Sequence, residues 1–336
     1  MRVAIDAVGG DFGPRGAVEG AMEASKRLDY DLILVGEPRN IGRFLKARRF
    51  SSPRISIVPA TEKVDMSEHA KDSLRKRDSS IAVAARLVKE GKADALVSAG
   101  NTGAVMASAL FTWRPLPGIN RPAIATLLPT MKNPVVLIDS GANVDCKPIN
   151  LVQFAIMGHC YAKYVLGRFR PRIGLLSIGE EKTKGNELTQ ETHKLLENTN
   201  LHFRGNAEGR DIISDKFDVI VCDGFVGNII LKFAEGVASM IFRSLKGEIS
   251  RNIISRLAAI GVKPAFKKFK KRVDYSEYGG APLLGLNGTC IICHGISDPK
   301  AIMNAIRVAG EIVNHDLNSH IIHELEMYNG KEESHE

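Results

Sequence analysis

The stretch LVSAGNTGAVMAS, residues 96–108, carries the reading of the fold. Leu96 and Val97 suit a buried strand, and Ala104 to Leu110 suit a helix. Between them the apolar run stops at Gly100-Asn101-Thr102-Gly103, a turn with an amide and a hydroxyl but no acid, base or thiol. Strand, small polar turn and helix follow one another, and the same pattern recurs along the chain.

Strands are expected at 2–6, 31–35, 54–58, 94–98, 134–138, 172–178 and 218–222, with shorter ones at 123–127 and 289–293. Helices are expected at 14–28, 38–48, 79–90, 103–112, 149–166, 187–197, 226–247 and 299–326. Pro14, Pro38 and Pro148 each fall where a first helical turn would begin, a position proline favours. The alternation implies an α/β fold, a Rossmann-like, doubly wound and mostly parallel sheet with helices on both faces. Neither a repeat of fixed period nor a low-complexity linker divides the chain. Residues 1–330 are therefore expected to form one α/β domain, with a protruding basic segment at 248–274 and a disordered tail at 331–336.

Composition narrows the class. Of the 336 residues, 44% are hydrophobic and 25% charged, ordinary for a globular protein with a sizeable core. Nothing resembles a signal peptide, because Met1-Arg2 leads straight into the strand-like Val3-Ala4-Ile5. No apolar run approaches the ~20 residues of a membrane span, so a cytoplasmic chain is expected. Cys146, Cys160, Cys222, Cys290 and Cys293 are scattered, and Cys290-Ile-Ile-Cys293 lies in an apolar run without a second pair. Reduced packing thiols are expected rather than a redox or zinc site.

The net charge of +8 is local in origin. Between Arg243 and Arg272 ten Lys/Arg face one acid, Glu248, a local net of +9. Stacking aromatics beyond Phe266 and Phe269 are missing there, which argues against nucleic acid as a partner.

The strand ends hold the candidate site. Five apolar runs end in small polar loops: Asp6–Asp11, Ser98–Gly103, Asp139–Asn143, Ser177–Asn186 and Asp223–Asn228. In a doubly wound sheet such loops gather at the carboxyl edge of the strands, where ligands bind. Glycines allow close backbone approach, and each following helix offers free N–H groups to an anion. The candidates for a shared phosphate site are Gly9, Gly10, Asp11, Asn101, Thr102, Gly103, Asn143, Gly185, Asn186 and Gly227. Asp6, Asp11, Asp139 and Asp223 suit loop-holding and capping better than proton transfer. His294 follows a buried run and is open to a packing role or a place in the site.

Other motifs are absent: no G-x-G-x-x-G, no G-x-x-x-x-G-K-[ST], no G-x-S-x-G and no clustered metal ligands. Asp11-Phe12-Gly13 lacks every other kinase element and is read as chance.

Six stretches, AIDAVGGDFGP, KRDSSIAVAARLVKEGKADALVSAGNTGA, LIDSGANVDCKP, GEEKTKGNEL, CDGFVGNIILK and YGGAPLLGLNG…HGISD, together resemble the phosphate acyltransferase (PlsX) family of bacterial phospholipid synthesis. The resemblance runs in order from about residue 2 to about residue 310. It implies transfer of a long-chain fatty acyl group from acyl carrier protein to inorganic phosphate, giving an acyl phosphate for phosphatidic acid synthesis. It also implies a fold akin to phosphate acetyltransferases and isopropylmalate dehydrogenases, a homodimer, and a membrane glycerol-3-phosphate acyltransferase as consumer of the product. Val8 and Phe12 stand where the family's first motif usually has Met and His, so no imidazole acts at position 12. The loop VDMSEHAKDSLRKRDSS lacks the proline expected after its acidic residues.

The implied chemistry needs little machinery. Phosphate is already an anionic nucleophile, and a pantetheine thiol of pKa near ~8.5 leaves with little acid assistance. Orientation and oxyanion stabilisation then carry catalysis, with no metal and no cofactor. Lys184 would neutralise phosphate or the tetrahedral intermediate, and Asn228 would aim its amide at the oxyanion. Lys182 is a possible substitute for Lys184. A CoA-dependent phosphate acyltransferase of the same fold is the alternative; a 2-hydroxy-acid dehydrogenase would need metal and nicotinamide sites that cannot be assembled.

Two basic surfaces suggest partners. Arg75, Lys76 and Arg77 suit docking of an acidic carrier protein. In residues 250–273 an apolar stripe including Ile254 and Leu257 is followed by Phe266, Lys267, Lys268 and Phe269. Weak hydrophobicity with dense positive charge suits peripheral contact with an anionic membrane surface, or packing in a dimer.

Overall fold

The computed structural model describes residues 1–251, 261, 264, 269 and 277–332. Of the residues expected at the membrane, Ile254, Leu257, Phe266, Lys267 and Lys268 lie outside those described. Phe269 is half exposed, its ring 5.9 Å from that of Phe242.

The first block of the chain is β1 (Arg2–Asp6), α1 (Pro14–Arg27), β2 (Asp31–Gly36), α2 (Pro38–Ala47), β3 (Ile55–Pro59), α3 (Ala70–Ser73), α4 (Ser80–Lys89), β4 (Ala95–Ser98) and α5 (Thr102–Trp113). The second is β5 (Ala123–Leu128), β6 (Val135–Ile138), α6 (Pro148–Cys160), β7 (Ile173–Leu176), α7 (Glu187–Glu197), β8 (Phe203–Ala207), β9 (Val219–Val221) and α8 (Gly224–Ser250). The chain then returns through β10 (Ala281–Leu284) and β11 (Thr289–Ile292) to α9 (Pro299–Asn314) and α10 (Leu317–Glu332). Helices do start at Pro14, Pro38 and Pro148, and also at Pro299.

All strands share one sheet, in the order β3-β2-β1-β4-β11-β10-β5-β6-β9-β7-β8. Alternate side chains feed separate cores. Val3 and Ile5 pack with α1 and α9 on one face, while Ala4 packs with α4 and α5 on the other. In β6, Val136 and Ile138 face α6, and Val135 and Leu137 face the core beside α8.

Three expectations need correcting. First, the sheet is mostly parallel, as expected, but it consists of two parallel blocks of opposite direction, because β10 and β5 are each antiparallel to both neighbours. Strands β6 to β9 therefore run against β1 to β4, and their loops do not share one carboxyl edge. β10 was not expected; its signal is the Asn287-Gly288 turn between two apolar runs. β8, a polar edge strand, was not expected either. Second, the helix expected at 299–326 is two helices, broken where Asp316 adopts φ 45°. Third, α10 reaches Glu332, into the tail expected to be disordered from 331; the remaining tail lies outside the described residues.

One helix is also longer and more apolar than expected. Gly224–Ile249 of α8 is long enough for a membrane span, and an 18-residue window within it is apolar enough for one, with 6% of that window buried. Lys232 and Glu235 interrupt it, which is why no unbroken apolar run is evident in the sequence.

Candidate active site

Buried carboxylates build the loops. Asp6 accepts hydrogen bonds from the Val8 and Gly9 amides and from Ser98 Oγ at 2.7 Å, and Ser98 Oγ in turn accepts from the Gly100 amide. This draws the β1 and β4 loops together so closely that a Cβ on Gly9 would lie 2.7 Å from Gly100 Cα. Gly10, at φ 91°, reaches the Gly295 carbonyl after β11, which accepts a bond from the Asp11 amide. Gly9, Gly10 and Asp11 thus join the β4 and β11 loops.

Asp139, fully buried, does the same for the second block. Its carboxylate accepts from the amides of Ile124, Gly141, Ala142 and Asn143 and from the Asn143 side chain. Burial pushes its pKa up, against those hydrogen bonds, which favour the ion. Asp223 caps α8 by accepting from the Val226 amide at 2.9 Å. Gly227 then presses on this loop: any Cβ there would overlap the Asp139 carbonyl oxygen.

The four loop asparagines have different fates. Asn101 caps α5 and donates to the carbonyls of Met66 and Glu68. Asn143 donates to Pro122 and Asp139, and Asn186 caps α7 through the Thr189 amide. The side-chain donors of Asn101 and Asn143 are spent on the fold, so a phosphate contact from these two falls to their backbones, whereas Asn186 uses only its Oδ1 in capping. Asn228, by contrast, is exposed and makes no side-chain hydrogen bond among the described residues; its amide lies beside Gly141.

Asn228 lies in a cleft of about 520 Å³. Thr102 and Gly103 of α5, Ser140 to Ala142 after β6, Thr126 of β5, and Cys293-His294 after β11 line it. Loops of both blocks meet here across the β10–β5 junction rather than at a common edge. The start of α5 offers the positive end of its dipole. Lys232, one turn beyond Asn228 on the same face of α8, also lines the cleft, with Nζ 2.9 Å from Glu235. Sequence reasoning missed Lys232, although i, i+4 spacing from Asn228 was its signal. His294, left open above, faces the cleft.

Lys184 is not brought to Asn228 in the chain. Gly185 and Asn186 line a separate cavity of about 530 Å³ with Asp223, Val226 and Ile230, the other side of the first turns of α8. Lys184 itself is exposed, and Lys182 pairs with Glu197.

All five cysteines are free. Burial pushes the Cys293 thiol up to about 12 and, with Asp139 and Asp223 nearby, Cys146 up to about 11. No group of three or more His, Cys, Asp or Glu suited to a metal occurs among the described residues.

The class follows from the fold. The phosphotransacetylase EutD of Staphylococcus aureus superposes over 93% of this chain and 94% of its own, with TM-score 0.60 at 14% identity. A phosphotransacetylase of Streptococcus pyogenes does so with TM-score 0.59 at 18% identity, again over 93% and 94%. The chain thus has the phosphotransacetylase fold. The family described as "Fatty acid synthesis protein" matches residues 1–320. A phosphate acyltransferase of Thermodesulfovibrio yellowstonii is 48% identical over 99% of this chain and 97% of its own. One of Aquifex aeolicus is 50% identical over 97% of each. The chain belongs to this fatty acid synthesis family, the phosphate acyltransferase (PlsX) family, and is an acyltransferase.

Proposed function

We propose that this protein transfers a long-chain fatty acyl group from acyl carrier protein to inorganic phosphate, releasing an acyl phosphate for phosphatidic acid synthesis. The observation that carries the reading is Asn228: one unspent amide in a cleft between the α5 terminus, the Asp139 loop and Lys232. A phosphate oxygen attacks the thioester carbonyl, forming a C–O bond. The tetrahedral oxyanion takes a hydrogen bond from Asn228, then collapses as the C–S bond breaks and the thiolate leaves to be protonated by solvent. Lys232 supplies positive charge to the phosphate from within the cleft, with the α5 N-terminus beside it. Lys184, expected to supply that charge, does not line this cleft.

A basic surface beside α5 supports an acidic carrier as donor. Arg77, Arg86 and Lys89 line a cavity of about 620 Å³ with Phe111, which is 69% exposed. Arg75 and Lys76, expected to share that role, are paired with Asp72 and Glu68. A homodimer fits a second surface: Phe225, Ile229, Phe233 and Met240 form an exposed stripe on α8. The basic segment following α8 would add peripheral contact with anionic membrane in the cytoplasm, close to the membrane acyltransferase that consumes the product.

The test is an assay with phosphate and either acyl-carrier protein or acyl-CoA, trapping acyl phosphate with hydroxylamine. Acyl phosphate from the carrier-bound donor is the expected result. Product from acyl-CoA alone would overturn the carrier assignment in favour of a CoA-dependent enzyme.

A further inference from the structure

The cleft does not end at Asn228. A second cavity of about 440 Å³ continues it and shares Thr126, Leu127, Leu231, Glu235, Tyr278 and His294 with it. The continuation runs between α8 and the end of β5, lined by Leu128, Pro129, Ala234, Ala238 and Phe242. Polarity falls along the way. Asn228 and Ser140 stand at the near end, Thr126 and His294 at the junction, and Glu235 there is held by Lys232. Ala234 flanks it, and beyond it the α8 face is Ala238 and Phe242, with Ser239 at the side.

We propose that this groove seats the hydrocarbon chain of the acyl donor, and that Ala238 and Phe242 set the number of carbons it accepts. The proposal rests on the acyl-transfer reading above and adds to it the part that recognises chain length. Continuity argues for this occupant. A thioester carbonyl held at Asn228 must send its chain somewhere, and the groove is the apolar space that opens from that point. Its small residues match a thin flexible chain: Ala234 and Ala238 are one turn apart on the groove face and leave room where larger residues would fill it. Phe242 is the first bulky apolar α8 side chain along the groove after Leu231, and its ring lies 5.9 Å from Phe269.

The dimensions agree. Asn228 to Phe242 spans about 21 Å of helix at about 1.5 Å per residue. A methylene chain with C–C bonds of about 1.5 Å advances roughly 1.3 Å per carbon, so about sixteen carbons reach Phe242 and about twelve reach Ala238.

The experiment measures kcat/KM for carrier-bound donors of 4 to 18 carbons, and calorimetric binding of the matching free fatty acids, which needs no carrier. In the unmodified protein both should rise about fourfold per methylene and flatten near roughly sixteen carbons. Ala238→Trp should move the break to about twelve carbons or fewer and lower the 16-to-8-carbon ratio by about 250-fold. Phe242→Ala should move the break to longer chains. A profile indifferent to length, or a break unmoved in both variants, would overturn the groove. So would variants that change only the sedimentation of the protein, since the groove would then belong to a second copy. Length-dependent binding with no acyl phosphate from any donor would leave the groove standing and remove the transfer reading.

Discussion

Asn101, Asn143, Asn186 and Asn228 occupy similar places after strands, yet three have their side-chain amides bonded to the protein and one does not. That difference sets the mutational order. Asn228→Ala should lower kcat by ~10²–10³, the usual cost of losing an oxyanion donor, with little change in Tm. Asn101→Ala should instead lower Tm, because it removes a cap worth about 1 kcal/mol and leaves the Met66 and Glu68 carbonyls without their donor. Lys232→Ala and Lys184→Ala divide the two cation assignments. A rise in KM for phosphate with Lys232→Ala places the charge in the cleft, whereas loss of turnover only with Lys184→Ala would return the role to the 177–186 loop. The thiols make a separate prediction. With Cys293 pushed up to about 12 and Cys146 up to about 11, the reactive thiolate is scarce at pH 8. Iodoacetamide at that pH should leave most activity intact over an hour, with labelling rising steeply on unfolding; rapid inactivation would give a cysteine a part in the chemistry.

At the scale of elements, β7 and β9 are pinned together at their starts by Arg172 and Asp218. Asp218 accepts from the Arg172 amide at 2.9 Å and from its guanidinium at 2.8 Å. Burial alone would raise the Asp218 pKa, but the guanidinium and amide bonds outweigh it, and the net shift is downward. A carboxylate with a depressed folded pKa stabilises above its unfolded pKa of about 3.9, and that contribution is lost as pH falls through the folded value. Asp218→Asn should therefore cost about 1 kcal/mol at pH 7, where the pair is only part-exposed. The gap to the parent protein should close below about pH 4. Urea unfolding at several pH values measures it, and a pH-independent gap would assign the loss to packing.

For the whole molecule, α8 is the element on which the proposals converge. One face meets the cleft and groove, and another presents Phe225, Ile229, Phe233 and Met240 to the surface. If the latter is the face of a homodimer, Ile229→Glu with Phe233→Glu should give a monomer by sedimentation, and a mass unchanged from the parent protein would remove this face as an interface. The basic segment beyond α8 makes its own prediction. Binding to vesicles should require anionic lipid, weaken with salt, and be lost on replacing Ile254 and Leu257 with Glu. Equal binding to neutral vesicles, or none to anionic ones, would remove the membrane role.

Local chemistry was legible in the sequence. Prolines at helix starts, the alternation of strand and helix, and glycine-rich turns are all settled by residues a few positions apart. They sufficed for the α/β class, for most element positions, and, through six ordered motifs, for the family. What the tertiary structure decided depends on partners far along the chain. Whether an asparagine is free turns on Met66 for Asn101, 35 residues away, and on Pro122 for Asn143, 21 residues away. The reversed direction of β6 to β9 follows from a sheet joined through β10, which arrives some 150 residues after β5 and pairs with it. That reversal puts the Asp139 loop against the start of α5 and leaves the 177–186 loop on the far side of α8. Lys184 and Asn228 look equivalent as strand-end residues, and a side chain's reach is fixed by the packing that orients its helix or loop, which no short stretch of sequence contains.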